Sequence, residues 1–435
     1  MVRKLGIGLL LAALGAGCRG GGAVPIQDPA LPSGTVAESP QRESALASPR
    51  RQLFPPTPGN VHLNLVFNYA VHDLKREIGV VDIVWGASSP NPPQVFNEFY
   101  TPFEREGLYA PSNHSLQWWK THHADWIEYR CDRTSIAWEF GDRHDVPLDI
   151  ANPAFLQFQR SGAVAPALDA GYDGIAFDNL SLGNYAERCG HFDLHRKWIA
   201  QYSGNFTDPA YASDVTAWAK GTYAYVHGFS PSATMAMNYS YQSSSTFRQN
   251  LALMTQADEV LDERGFTNWG DESRHVSTPQ EWQQITRMLR TLQANGTCYM
   301  ENGEEPQRSR NITQGERLWV VANYLLTRDE CTYVWISGFS ANGAQQYGRL
   351  LIYPEYHLQV GKPAGPAAPE GLGWKREYAS GLVLVNPSAK SVTFRFRGTL
   401  YDENGHAYDR ALTLSAQSGQ ILRSTPPSPA PSSDG

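Results

Sequence analysis

The sequence predicts an α/β protein, a (β/α)8 TIM barrel followed by a small C-terminal antiparallel β domain. Three observations carry this prediction. Short apolar runs recur with amphipathic segments between them, the alternation expected of βα units around a parallel sheet. Eight such runs can be counted, which suits a closed barrel better than an open doubly wound sheet. From about Gly371 the helical period disappears, and alternating runs bounded by turn residues replace it.

In chain order the candidate strands are HLNLVFNYA from His62, VVDIVWGAS from Val80, ADWIEYRC from Ala124 and YDGIAFDN from Tyr172. ATMAMNYS from Ala233, DEVLDERGF from Asp258, GTCYMENG from Gly296 and CTYVWISGF from Cys331 follow. A long stretch containing a Trp-Trp and a His-His pair separates the second from the third and reads as an inserted loop over the barrel mouth. Two helices are legible from their ends. In DIANPAFLQFQRSGAVAPALDAGYDG, Asn152 can cap, Pro153 fits the first turn and Gly171 closes, which puts Asp178 at the carboxyl end of a buried strand. Another helix runs from Thr278 to Asn295, opened by STPQEW and closed before Gly296. The runs GLVLVNPS, SVTFRFRG, TLYDENGHAY and ALTLSAQSGQILRS form the β domain, which is too small to bury much alone and is expected to pack on the barrel.

These features divide the chain into a signal segment (1–18), a Gly/Pro/Ser-rich tether (19–59), the barrel (60–368), the β domain (369–424) and a frayed tail (425–435). The opening MVRKLGIGLLLAALGAGC joins two basic residues to an apolar run too short to remain as a spanning helix. Its small residues before Cys18 resemble a bacterial lipoprotein signal, with Cys18 as the lipidated residue; a cleaved secretory signal is the alternative. Either reading places the protein in the bacterial cell envelope, lipid-anchored, or outside the cell, with a membrane partner only through that anchor. A net charge of −7 offers no footprint for nucleic acid. Aromatics at 11% provide flat apolar faces with polar tips, which suit carbohydrate and ordinary cores alike. The chain is read as a monomer.

Cys131, Cys189, Cys298 and Cys331 form an even set for an oxidising compartment, without the Cys-x-x-Cys spacing of a closed zinc site. Cys131 ends the third candidate strand and Cys189 lies past the fourth, so these two are expected to form a disulfide. Cys298 and Cys331, on neighbouring strands, suit a bridge or a buried thiol pair equally.

Barrel enzymes carry their chemistry at the carboxyl ends of the strands, so carboxylates there are the candidates. Asp178 ends the apolar strand GIAF and Glu263 ends EVLDE on the sixth candidate, close enough to flank one scissile bond. Asp262 and Glu259 are rivals, because alternation along a strand does not decide between Asp262 and Glu263. Asn179 and Asn238 end the fourth and fifth strands and could bond sugar hydroxyls, or simply form turns. Trp85, Trp138 and Trp269 could stack on pyranose faces or belong to the core, and Glu301 on the seventh candidate is a further substrate contact.

The phrases PLDIANPAFLQFQ, GYDGIAFDN and GLVLVNPS, followed by Ser-Gly-Gln-Ile-Leu, resemble a glycoside-hydrolase-like barrel family, the fifteenth in its series of hypothetical members. They are more distantly similar to endo-α-1,4-polygalactosaminidases and α-galactosidases. The resemblance runs from about Leu63 to Leu422 and implies that Asp178 is a nucleophile and Glu263 the acid/base of a retaining glycoside hydrolase acting on an oligo- or polysaccharide. It implies no cofactor. Two alternatives belong to other classes. One is a non-catalytic carbohydrate-binding lipoprotein on the same barrel. The other is a metal-dependent polysaccharide deacetylase, for which His191 and His195 in HFDLH have the spacing of two ligands on one helical face, although Asn179 stands where the deacetylases carry a second Asp. No metal is assigned. Serine-hydrolase and phosphate-loop motifs do not occur.

Overall fold

The structure is a computed structural model that describes residues 61–66, 80–87, 90, 95–108, 114–139, 146–239, 247–271, 275–306, 310–339, 345–346 and 348–427. The signal segment with Cys18, the tether and most of the tail lie outside them.

Eight parallel strands build the barrel: β1 (Asn64–Val66), β2 (Ile83–Ala87), β3 (Phe96–Pro102), β5 (Gly174–Asp178), β8 (Thr234–Asn238), β9 (Glu259–Asp262), β10 (Cys298–Glu304) and β11 (Thr332–Phe339). Each pairs with the next, and a parallel bridge between Leu63 and Val334 brings the last strand back to the first. The Val334 amide donates to the His62 carbonyl across this seam at 3.0 Å. The short strand β12 (Gln345–Gln346) extends β11 antiparallel.

The third barrel strand differs from the sequence expectation. Phe96–Pro102 occupies that place, while the run from Ala124 supplies only Tyr129–Arg130, labelled β4. This β4 joins β6 (Arg188–Phe192) and β7 (Trp198–Ala200) in a separate three-stranded antiparallel sheet. The reason is polar burial: Asn97 and Glu98, consecutive and so on opposite faces of the strand, are both fully buried, so the real strand does not read as an apolar run. The long insertion consequently follows the third strand rather than the second.

Local chemistry accounts for the helices that position the strands. Asn152 accepts the Ala154 amide at 2.9 Å and starts α2 (Pro153–Gln159), which continues through a π turn at 160–164 into α3 (Ala165–Asp169); α1 (Leu116–His122) lies earlier, in the insertion. Helix α4 (Pro209–Phe229) is capped by Asp208. After α5 (Phe247–Met254) comes α6 (Pro279–Asn295), where Thr278 and Glu281 form a reciprocal capping box and Gly296 closes the helix at φ 87°. A second capping box, Thr313 with Glu316, opens α7 (Gln314–Thr327).

The C-terminal unit is a six-stranded antiparallel sheet in the order β13 (Ala368–Glu370), β14 (Gly373–Tyr378), β15 (Gly381–Asn386), β18 (Ser418–Arg423), β16 (Val392–Tyr401), β17 (Ala407–Leu414). It docks on α7. Gly419 allows the approach, since a Cβ there would lie 2.7 Å from the Ala322 side chain and 3.1 Å from the Leu318 carbonyl. Arg376 then donates to the carbonyls of Leu325 and Arg328, meeting orphan acceptors at the helix end.

Candidate active site

Four adjacent strands, β3, β5, β8 and β9, bring the candidate residues together. Pro102 lies opposite Asp178, so Tyr100 on β3 stands beside β5, while Asn238 continues β8 next to it. Asn238 is in turn paired with Leu261 on β9, which places Glu263 just beyond that strand's carboxyl end.

Asp178 is 8% exposed and richly supplied with donors. Its Oδ1 accepts the Asn179 amide at 2.8 Å and the Asn238 side chain at 2.8 Å, and Tyr100 donates its hydroxyl to Oδ2 at 2.7 Å. Burial raises its pKa above the ordinary Asp range; Tyr100, Asn238, the Asn179 amide and the charge of Arg105 act in the opposite direction and favour the carboxylate. Asn179 sits at φ 61°, a left-handed conformation that Asn tolerates, and this turn presents its amide to Asp178.

The second carboxylate is half-buried Glu263, whose Oε2 accepts from the same Asn238 nitrogen at 3.0 Å. Two hydrogen bonds from one amide nitrogen at ordinary angles hold their acceptors about 5 Å apart. Asp262 is placed otherwise. It is buried, accepting the Tyr299 hydroxyl at 2.7 Å and the amides of Arg264 and Gly265, so it secures the turn that aims Glu263. Glu259 begins the strand and lies at the opposite end of the barrel. Burial raises the pKa of Glu304 well above the carboxylate range, and the charge of Glu263 raises it further.

The aromatic candidates separate. Trp269, 36% exposed, lies on the loop after β9 with the Arg264 guanidinium 5.2 Å from its ring centroid. Trp138 is partly buried in the insertion and packed against the main core. Trp85 has no exposed surface and meets Tyr100 edge-on at 6.2 Å, so it backs the Tyr100–Asp178 contact and offers no face to a ligand. Glu301 is likewise fully buried, paired in register with Asp262 and packed under the Gly265 turn. Tyr100 and Arg105 are not legible in the sequence, because the strand that carries one and precedes the other does not read as an apolar run. The Asn-Glu interruption in VFNEFYTP hid an otherwise adequate strand signal.

His191 and His195 do not share a helical face. Residues 188–192 are extended, His191 is partly buried on β6, and His195 is exposed in the following turn. The cysteines pair as Cys131–Cys189, with Cα atoms 5.1 Å apart, and Cys298–Cys331, at 4.9 Å. The first joins β6 to the turn after β4 and so braces the insertion sheet rather than two barrel strands. The second crosses two neighbouring barrel strands at their amino ends.

Residues 97–382 match a family model described as hypothetical glycosyl hydrolase family 15. No curated protein matches the chain in sequence. Among solved structures, a noncanonic maltogenic alpha-amylase from Thermotoga neapolitana is similar at 9% identity and a TM-score of 0.48, over 84% of this chain and 98% of that one. An alpha-amylase from Geobacillus thermoleovorans is similar at 8% identity and 0.46, over 84% and 98%. A debranching enzyme from Nostoc punctiforme is similar at 12% identity and 0.42, over 81% and 87%.

Proposed function

The chain belongs to hypothetical glycosyl hydrolase family 15, and we propose that it cleaves an oligo- or polysaccharide with retention of anomeric configuration, using Asp178 as nucleophile and Glu263 as acid/base. One observation carries this reading: a single Asn238 side chain donates to both carboxylates. At ordinary hydrogen-bond angles two acceptors on one nitrogen fall about 5 Å apart, which supports the retaining geometry, in which the carboxyl groups stand about 5–5.5 Å apart.

The chemistry follows from the surroundings. Asp178, whose anionic form three donors favour against the effect of burial, attacks the anomeric carbon, and the glycosidic C–O bond breaks as Glu263 gives its proton to the departing oxygen. A glycosyl ester on Asp178 results. Glu263, now a carboxylate, takes a proton from water, whose oxygen attacks the same carbon and releases the sugar and free Asp178. Asn238 bonds Glu263 and Asp178 at once, so it orients both through the cycle. Trp269 supplies an exposed ring for a pyranose face, with Asn179 and Trp138 as further contacts.

Cys18 as a lipid anchor, location in the bacterial envelope or outside the cell, and a monomeric state complete the reading. Two disulfides support an oxidising compartment. The test is a polysaccharide array probed with the wild type beside Asp178→Asn. Product release by the wild type alone supports the assignment. Glycan binding without product in either protein would mark a carbohydrate-binding protein instead.

A further inference from the structure

We propose that the insertion contains a site for a divalent transition-metal ion, with Zn2+ favoured, held by Glu128, Asp149 and His191. Their ligand atoms lie within 4.8 Å of one another. The backbone brings them together before any ion is considered: Ile127 bridges Leu148, and Tyr129 pairs with Gly190, so each ligand adjoins a paired residue. The Glu128 amide donates to the Pro147 carbonyl and the Asp149 amide to the Trp126 carbonyl, fixing two crossing segments against each other. Nδ1 of His191 faces the cluster, 3.5 Å from an Asp149 carboxylate oxygen, and the Gln201 side-chain oxygen 3.0 Å away is the contact an ion there would replace.

Glu128 turns this cluster into a site. It is 1% exposed, and neither carboxylate oxygen has a hydrogen-bond partner. A buried ionised carboxylate without donors is costly, and the Asp149 carboxylate beside it adds repulsion. Arg188, the nearby cation, donates to the Tyr211 hydroxyl at 2.9 Å and approaches Glu139 at 4.0 Å; its charge favours the Glu128 carboxylate, but it makes no hydrogen bond to it. A cation between the two carboxylates supplies the partner that Glu128 lacks, while Asp149 already accepts the Ala151 amide at 2.9 Å. The imidazole selects among cations, since Ca2+ and Mg2+ prefer all-oxygen shells while Zn2+ and Mn2+ accept nitrogen. His191 is two residues from Cys189, so ion and disulfide would clamp the same small sheet, whose apolar core is thin. The role is structural, and His195, exposed in the turn, has no part in it.

The experiment uses the full chain, stripped with EDTA and then dialysed against ZnCl2 or MnCl2 and desalted. Elemental analysis should find one equivalent of Zn2+ or Mn2+ per chain, and readdition should raise Tm by several degrees. Glu128→Gln, which keeps the shape and removes the charge, and His191→Gln should each lose the ion and the Tm response, whereas His195→Gln should keep both. No retained metal, or retention in Glu128→Gln equal to the wild type, overturns the site. These readouts do not involve turnover, so they stand or fall separately from the hydrolase mechanism.

Discussion

The barrel mouth and the insertion both bury carboxylates, and they surround them in opposite ways. Asp178 receives three hydrogen bonds, whereas Glu128 receives none on either oxygen. Donors oppose the rise in pKa that burial imposes on an acid; their absence leaves it in need of a proton or a cation. Neighbours therefore distinguish the nucleophile proposed at Asp178 from the metal ligand proposed at Glu128, and burial alone does not separate the two.

The comparison is broken most sharply at the mouth. Asp178→Asn should lower kcat by roughly 10⁴-fold or more, since no other described residue is placed to attack, and Glu263→Gln should cost about 10²–10⁴-fold. With leaving groups of low pKa, Glu263→Gln should recover cleavage while Asp178→Asn does not. Steady-state rates on a substrate found by array screening decide this. A residual rate near wild type in Asp178→Asn would remove the distinction between the mouth and the insertion.

At the insertion, the double variant Cys131→Ser/Cys189→Ser opens a loop spanning 58 positions. The chain-entropy estimate for such a loop is about 4 kcal/mol, which denaturant unfolding should register as a lower midpoint.

A third buried acid sharpens the rule. Glu98, enclosed in the barrel, is pushed up to about 8 by burial, partly opposed by the hydroxyl of Thr234, which donates to it at 2.9 Å. Below the unfolded value of about 4.5, both states hold the proton and nothing is gained or lost. Between there and pH 8 the unfolded chain releases it while the folded one does not, so stability declines as pH rises. Glu98→Gln should accordingly raise Tm by a few degrees at pH 8 and leave it unchanged at pH 4 in matched thermal scans.

Tyr100→Phe gives the smallest effect. It removes one donor from Asp178, raises that pKa, and moves the acidic limb of the kcat/KM profile to higher pH, with about a tenfold loss at low pH.

How much of this was legible in the sequence depended on whether polarity broke the pattern. GIAF and MAM are uninterrupted apolar runs, and the residues that end them, Asp178 and Asn238, are legible as candidate positions. Phe96–Pro102 carries the buried polar residues Asn97 and Glu98, and their break in the apolar pattern hides Tyr100. The choice between Asp262 and Glu263 needed the Tyr299 hydroxyl, a partner 37 residues away that local alternation does not reveal. His191 and His195 had the spacing of a helix, yet their segment pairs with Trp198–Ala200 as a hairpin, so tertiary pairing overrode the pattern. The cluster of Glu128, Asp149 and His191 draws on three distant segments and left no local signature at all.

The central claim is that Asp178 forms a covalent bond to the sugar, and intact-protein mass spectrometry tests it most directly. The chain is incubated with a panel of 2-deoxy-2-fluoroglycosyl fluorides, digested and mapped. A retaining mechanism on these residues predicts one glycosyl adduct on the peptide containing Asp178, absent from Asp178→Asn. An adduct on another carboxylate, or turnover that yields the inverted anomer with Asp178 unmodified, would contradict it.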